Sequence, residues 1–226
     1  MFLLTPERPH SGISPAAAIR DGLASLWATL KALPEYPGML RFLIARMIYI
    51  DGLNTLFAFG GIYAAGSFGM EFEEVLVFGI LLNVTAGLGA FGFAWIDDWI
   101  GPKRTIAISV AALTLRGGAI LVVESKLAFY VLGCAIGIFI GPTQSASRSL
   151  MARMAPEAVR TELFGLYAFS GRVTAFLGPF LVGLVTLWAG SQRVGMSVIL
   201  AFFLLGLAIL WPLREPPQDG RIDARP

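Results

Sequence analysis

Long apolar stretches alternate with short polar separators along most of the chain. A helix needs about 20 apolar residues to cross a hydrocarbon core of about 30 Å, and six stretches reach that length. We predict membrane-spanning helices at about 41–66, 73–96, 105–123, 127–146, 163–187 and 194–213. The alternative is a buried helical bundle of a soluble protein, which does not need six apolar segments of this length.

The residues before the first span predict a different kind of helix. Ser14 is a suitable N-cap, with Pro15 at the first helical position. Apolar residues then recur at three- and four-residue spacing: Ile19, Leu23, Leu26, Trp27 and Leu30. Such a helix lies along the membrane surface or packs on loops as an amphipathic linker. We therefore expect a linker with this helix at 1–38, a transmembrane domain at 39–213 and a cytoplasmic tail at 214–226.

Composition supports an all-α integral membrane protein. Only 14% of the residues are charged and 56% are hydrophobic, whereas a soluble domain has roughly 25% charged residues. The net charge of +2 is too small to indicate nucleic-acid binding. With Cys134 as the single cysteine and His10 as the single histidine, the chain offers too few ligands for a metal or haem site. We expect no cofactor.

Basic residues predict the orientation, because Lys and Arg are retained on the cytoplasmic side of a membrane. Lys126 and Arg193 are the only two outside the spans on one side. The other side collects Arg8, Arg20, Lys31, Arg41, Lys103, Arg104, Arg148, Arg153, Arg160, Arg214, Arg221 and Arg225. We therefore expect both termini in the cytoplasm and the chain in the plasma (inner) membrane.

Several polar residues fall inside the predicted spans. Asp51 and Arg172 each lie about 15 Å from the cytoplasmic end at about 1.5 Å per residue. Ionisable groups at that depth usually face a cavity or a partner, so we predict a buried ion pair or a substrate and proton site. The alternative is that the two residues form an ion pair that serves only the packing of the helices. Asn54 shares the face of Asp51, and Asn83 and Gln144 add amides, which bind solute or hydrogen-bond between helices.

The corner between the second and third spans carries a recognisable motif. The segment 94–104 resembles the loop signature of the major facilitator superfamily, with Ala94 and Trp99 departing from it. Four positions match: Asp98, Gly101, Lys103 and Arg104. The resemblance implies a loop whose charge contacts hold one conformational state, Asp98 above all. A solvated turn with cytoplasmic positive charge is the alternative.

Small residues and prolines mark two of the spans. Glycines at four-residue spacing let helix backbones approach closely, and prolines interrupt helical hydrogen bonds and kink or hinge a helix. The residues concerned are Gly133, Gly137, Gly141, Pro142, Gly178 and Pro179. Packing alone explains the glycines, but broken helices beside a cavity also expose backbone dipoles to solute.

Most of the chain resembles the C-terminal half of the vacuole-effluxer family of the major facilitator superfamily. The resemblance is carried by 36–37, 42–47, 51–52, 141–149, 164–167 and 178–179. It implies twelve helices in two halves around a central cavity, lined by the first and fourth helices of each half. By this resemblance Asp51, Asn54 and Gln144 face the cavity, and the chain holds only the second half.

These observations favour half of a secondary transporter for small polar solutes, with amino-acid export as the substrate class that the resemblance implies. Its partners would be membrane lipid and the missing six-helix half or a second copy. A truncated or non-transporting six-helix protein that acts structurally or by oligomerisation is the alternative. An enzyme is disfavoured, because Asp51 is the single carboxylate at midplane depth.

Overall fold

The computed structural model describes residues 30–36 and 38–215, and this part of the chain is helical. The predicted amphipathic helix before the first span, and the tail beyond Glu215, lie outside the described residues. Two short 3-10 turns occur, at Leu33–Glu35 and Glu157–Val159. The α-helices are α1 Met39–Phe68, α2 Phe72–Ile100, α3 Pro102–Val122, α4 Lys126–Met154, α5 Arg160–Val173, α6 Leu177–Ala189 and α7 Gln192–Leu210.

These helices form six membrane spans, since 157–189 serves as one span interrupted between α5 and α6. All six are long and apolar enough to cross a membrane, which confirms the predicted six-helix bundle. The described helices extend past the predicted spans at several ends. The largest extension is in α4, which continues to Met154 instead of stopping near residue 146.

Turn and cap chemistry explains why the separators can be so short. α1 ends where Gly69 adopts a left-handed conformation with φ of 60°, which glycine adopts without steric penalty. α2 begins with a capping box between Glu71 and Glu74, which satisfies free amide groups at the helix start. Gly101, with φ of 85°, and Pro102 then turn the chain directly into α3.

The helices differ in how far the rest of the bundle covers them. α1 packs along α7, and α4 packs between α2 and α3. In the most apolar window of α1, 56% of residues are buried, against 17% in α2 and 11% in the fifth span. α2 and α5–α6 are therefore the edge helices, and their outer faces have no cover within the described chain.

The glycines of α4 lie where it meets α2. A Cβ added at Gly137 would overlap Thr85 Oγ1, and one at Gly141 would overlap the carbonyl oxygen of Ala86. Gly133 meets a ring of α2 in the same way. Small residues at these positions allow the two backbones to approach within a distance that a side chain would prevent.

The two glycine–proline pairs have different consequences. α4 continues through Pro142 without a break. Pro142 leaves the carbonyl of Ile138 without its helical donor, and that oxygen lies against Gly89 of α2. The fifth span, by contrast, is broken at 174–176, just before Gly178.

Candidate functional site

A polar cavity of about 450 Å³ opens between α1, α4 and α5. Its lining comprises Arg46, Ile50, Asn54, Gln144, Arg148, Tyr167, Ala168, Gly171 and Arg172. The residues from each helix recur at four-residue spacing, so each helix presents one face to the cavity. The cavity brings together three predicted candidates, Asn54, Gln144 and Arg172, from three different spans.

Arg46 is built into the wall of this cavity. Its side chain is only 8% exposed, and the guanidinium carbon lies 3.5 Å from the centre of the Tyr167 ring. Nη1 donates hydrogen bonds to the Tyr167 carbonyl at 2.7 Å and to Ser170 Oγ at 3.0 Å. Gly171 makes room, since a Cβ there would lie 2.9 Å from Nη1.

The other two arginines of the cavity have no partner within the described part of the chain. Arg148 and Arg172 are exposed, and neither forms a hydrogen bond or ion pair with any residue that the structure describes. No carboxylate is among the cavity-lining residues. The cavity therefore holds three guanidinium groups and no opposite charge from the described chain.

Asp51 does not pair with Arg172, so the predicted ion pair is not formed. Its side chain is 1% exposed, and Oδ2 accepts a hydrogen bond from the backbone N–H of Gly178 at 3.1 Å. Ile50 and Asn54 face the cavity, whereas Asp51, about 100° further around the helix at 3.6 residues per turn, faces α6. Equal predicted depth was not sufficient to bring Asp51 and Arg172 together, because the two side chains lie on different sides of α1.

The contact between Asp51 and Gly178 satisfies the start of α6. Gly178 is the second residue of that helix, and the first amide groups of a helix have no partner within it. A carboxylate is favourable there because the helix dipole is positive at this end. Gly178 is needed for the close approach, since a Cβ would overlap Thr55 Oγ1. The second oxygen of Asp51, Oδ1, is buried without a hydrogen-bond partner.

Comparison with known proteins identifies the family. The profile of the vacuole effluxer Atg22-like family matches residues 1–220. The chain belongs to this family.

Among individual relatives, the chain is 23% identical over 185 residues to the uncharacterized MFS-type transporter YxiO of Bacillus subtilis, covering 82% of this chain and 43% of that protein. It is 24% identical over 210 residues to autophagy-related protein 22 of Cryptococcus neoformans, covering 86% and 36%. A match to autophagy-related protein 22-2 of Emericella nidulans covers 97% and 41%, at 24% identity. The chain thus spans less than half the length of these curated relatives.

At the corner between α2 and α3 of this effluxer-like chain, Asp98 is exposed and forms no hydrogen bond or ion pair within the described residues. Its role in holding one conformational state stays a prediction. The neighbouring Asp97 is buried, with Oδ1 unpartnered. The charge contact at the corner comes instead from Glu215, whose Oε1 accepts the backbone N–H of Lys103 at the start of α3. A Cβ at Gly101 would also meet the Glu215 carboxylate.

Asn83 is not part of the cavity of this family member. It is exposed on α2, where Nδ2 donates to the Gly79 carbonyl of the same helix at 2.8 Å. This local bond satisfies one of its donors without any group from another span.

Sequence reasoning missed two lining residues of the cavity. Arg46 was not among the predicted site residues, although it folds back onto Tyr167 in the cavity wall. Arg148 was placed in a loop, but it lies inside α4. Helical spacing could have indicated both residues. Arg46 lies about one turn before Ile50, and Arg148 lies about one turn after Gln144, so each shares a helix face with a residue of the cavity.

Proposed function

We propose that this chain forms one half of a secondary transporter and that solute passes through the cavity between α1, α4 and α5. The observation that carries the proposal is a polar cavity of about 450 Å³ inside a bundle of six apolar spans. Polar groups at membrane depth are costly unless they line a cavity or meet a partner. The name of the Bacillus subtilis relative, an MFS-type transporter, supports the same function class.

A second six-helix unit would complete the pathway. Asn54, Arg148 and Arg172 are exposed on the surface of this chain, although lipid would leave such groups unsatisfied. The second unit is an N-terminal half or a second copy, and the curated relatives are long enough to include such a half.

Asp51 would couple the break in the fifth span to an ion gradient. As a carboxylate it stabilises the start of α6 through the Gly178 N–H. Binding a proton would remove that charge and weaken the contact, so the angle between α5 and α6 would respond to protonation. The unpartnered Oδ1 offers a place for the proton.

We further propose that the solute is a small amino acid and that transport is export across the plasma membrane. The end of the bundle that carries Lys103, Arg104, Arg148 and Arg153, here named the basic end, would face the cytoplasm. The name of the family, vacuole effluxer Atg22-like, supports efflux.

Uptake of labelled amino acids into proteoliposomes tests the proposal, with and without a proton gradient. The chain is reconstituted alone and together with a co-expressed N-terminal half from the Bacillus subtilis relative. We expect gradient-dependent uptake that falls about tenfold in Gln144→Ala, because a hydrogen bond to a charged group contributes about 1.5–3 kcal/mol.

Asn83→Ala is the matched control, since Asn83 is a membrane amide outside the cavity. It should transport like the unmodified chain. Equal loss in both variants, or no uptake of any amino acid in either reconstitution, would contradict the proposal and favour a non-transporting six-helix protein.

A further inference from the structure

The charges that line the cavity indicate the chemistry of its solute more narrowly than the polarity of the cavity does. Three guanidinium groups line it, and no carboxylate lines it with them. Cations in a low-dielectric setting repel one another and are costly without a counterion. Of the three cations only Arg46 is buried, and an anion in the cavity would offset its charge and the repulsion among all three.

Arg46 shows that this site is preorganised. A guanidinium has five N–H donors in a rigid fork, and hydrogen bonds hold only Nη1 of Arg46. Nε is buried without a partner, and Nη2 forms no hydrogen bond with the residues that the structure describes. The Tyr167 ring and the Ser170 hydroxyl thus fix the orientation of a buried cation while leaving donors unused.

The tendency of basic residues to collect on the cytoplasmic side does not explain this arrangement by itself. An arginine that only marks orientation extends toward headgroups and water, whereas Arg46 is 8% exposed and turned onto Tyr167. Arg148 and Arg172 come from different helices and meet the same cavity. Each is also free of protein partners in the described chain.

We propose that the cavity recognises its solute by an anionic group, a carboxylate or a phosphate, held among Arg46, Arg148 and Arg172. Planar guanidinium groups match the oxygens of both anions. The amides of Asn54 and Gln144 line the same cavity and would bind the other polar groups of the solute, such as an ammonium group. The inference rests on the proposed function only in taking this cavity as the solute site.

Direct binding tests the inference without requiring transport. The full chain, purified in detergent, is titrated with radiolabelled leucine and, separately, with radiolabelled inorganic phosphate. Leucinamide, acetate and unlabelled phosphate serve as competitors at matched ionic strength. We expect leucine or phosphate to bind, and leucinamide, which has the side chain and amine but lacks the carboxylate, to compete at least tenfold more weakly than leucine. Competition by phosphate but not acetate would identify phosphate chemistry, and the reverse would identify a carboxylate.

Variants then assign the binding to the arginines. Arg148→Gln and Arg172→Gln should each weaken binding of the anion about 10- to 100-fold, the range expected for a lost hydrogen bond to a charged group. Both side chains are exposed and have no partner among the residues that the structure describes, so these variants should fold. Arg153→Gln, on the same helix as Arg148 but outside the cavity lining, should bind like the unmodified chain.

Three results overturn the inference: equal competition by leucinamide and leucine, unchanged binding in both arginine variants, or no binding of leucine, acetate or phosphate. The proposed function fails separately, if proteoliposomes show no uptake while binding persists. Conversely, uptake of a solute without an anionic group would leave the transporter in place and remove the anion site.

Discussion

The two ends of the bundle differ in whether their Lys and Arg side chains have partners in the described chain. At the end where α1 finishes, Lys126 Nζ lies 2.8 Å from Glu74 Oε2, and Arg193 Nη2 donates to the Val123 carbonyl at 3.2 Å. These cations join α4 to α2 and α7 to α3. In the cavity toward the basic end, Arg148 and Arg172 join nothing in the described chain.

This difference separates structural cations from available ones. A cation whose donors are used by a neighbouring helix contributes to stability and is not free to bind solute. A cation that folding leaves unpaired contributes little to stability and retains its donors. Arg46 lies between these two cases, since part of its guanidinium is bound to Tyr167 and Ser170 and part is unused.

The largest expected effect comes from the one buried carboxylate beside the cavity. Asp51→Asn keeps an oxygen that accepts the Gly178 N–H but removes the charge and the titratable proton. Gradient-driven accumulation should fall to the level seen without a gradient, while exchange of solute at equilibrium continues. The measurement is labelled uptake against counterflow in proteoliposomes.

Glu73→Gln is the control for this variant, because Glu73 is an exposed carboxylate with no side-chain hydrogen bond or ion pair in the described chain. It should leave accumulation unchanged. Full gradient-driven accumulation in Asp51→Asn would remove Asp51 from the coupling mechanism and leave it the role of a helix cap.

A second prediction concerns Arg46, the cation with a divided role. Arg46→Gln loses the stacking on the Tyr167 ring and two charged hydrogen bonds, so unfolding in detergent should become easier by about 2–3 kcal/mol. Arg46→Lys should recover part of this, since it restores the charge but not the planar fork. A variant as stable as the unmodified chain would show that Arg46 is as free as Arg172.

A smaller loss of stability is expected where the broken helix meets α1. Gly178→Ala places a methyl group on Thr55 Oγ1, and overpacking of this kind costs about 1–3 kcal/mol. Gly183→Ala on the same helix is the matched control, because a Cβ there meets nothing within 4 Å. Equal unfolding midpoints for the two variants would mean that α6 can move away from α1 without penalty.

The smallest effect is expected at the paired end of the bundle. Arg193→Gln loses one hydrogen bond to the Val123 carbonyl, which costs about 0.5–1.5 kcal/mol of stability. Anion binding should not change, because Arg193 is far from the cavity lining. Weaker anion binding in Arg193→Gln would break the distinction between structural and available cations.

Part of the candidate site was predictable from the chain. Asn54, Gln144 and Arg172 were chosen as polar residues inside apolar spans, and all three line the cavity. Arg148 was not predicted as a site residue, because a span assigned from apolar residues ends where polar residues begin. The backbone hydrogen bonds of α4 nevertheless continue to Met154. The length of an apolar stretch indicates how much of a helix contacts lipid, but the helix itself can continue past the membrane into polar residues.

The partner of Asp51 was not predictable in the same way. Depth along a helix follows from residue number at about 1.5 Å per residue, and it placed Asp51 level with Arg172. Which neighbour a side chain meets also depends on how each helix is rotated and on which helices are adjacent. The break at 174–176 provided a backbone N–H as a partner, and an amide group is not visible in a search for opposite charges.

The order of residues alone determined the six spans, the excess of basic residues at one end and the face that each helix presents, because these depend on local composition and a fixed helical repeat. The packing of helices decided which arginines are paired, which carboxylate caps α6 and that Glu215 meets the start of α3. Those contacts join residues far apart in the chain. They depend on distances of a few ångströms between helices, which glycine contacts such as Gly137 against Thr85 set.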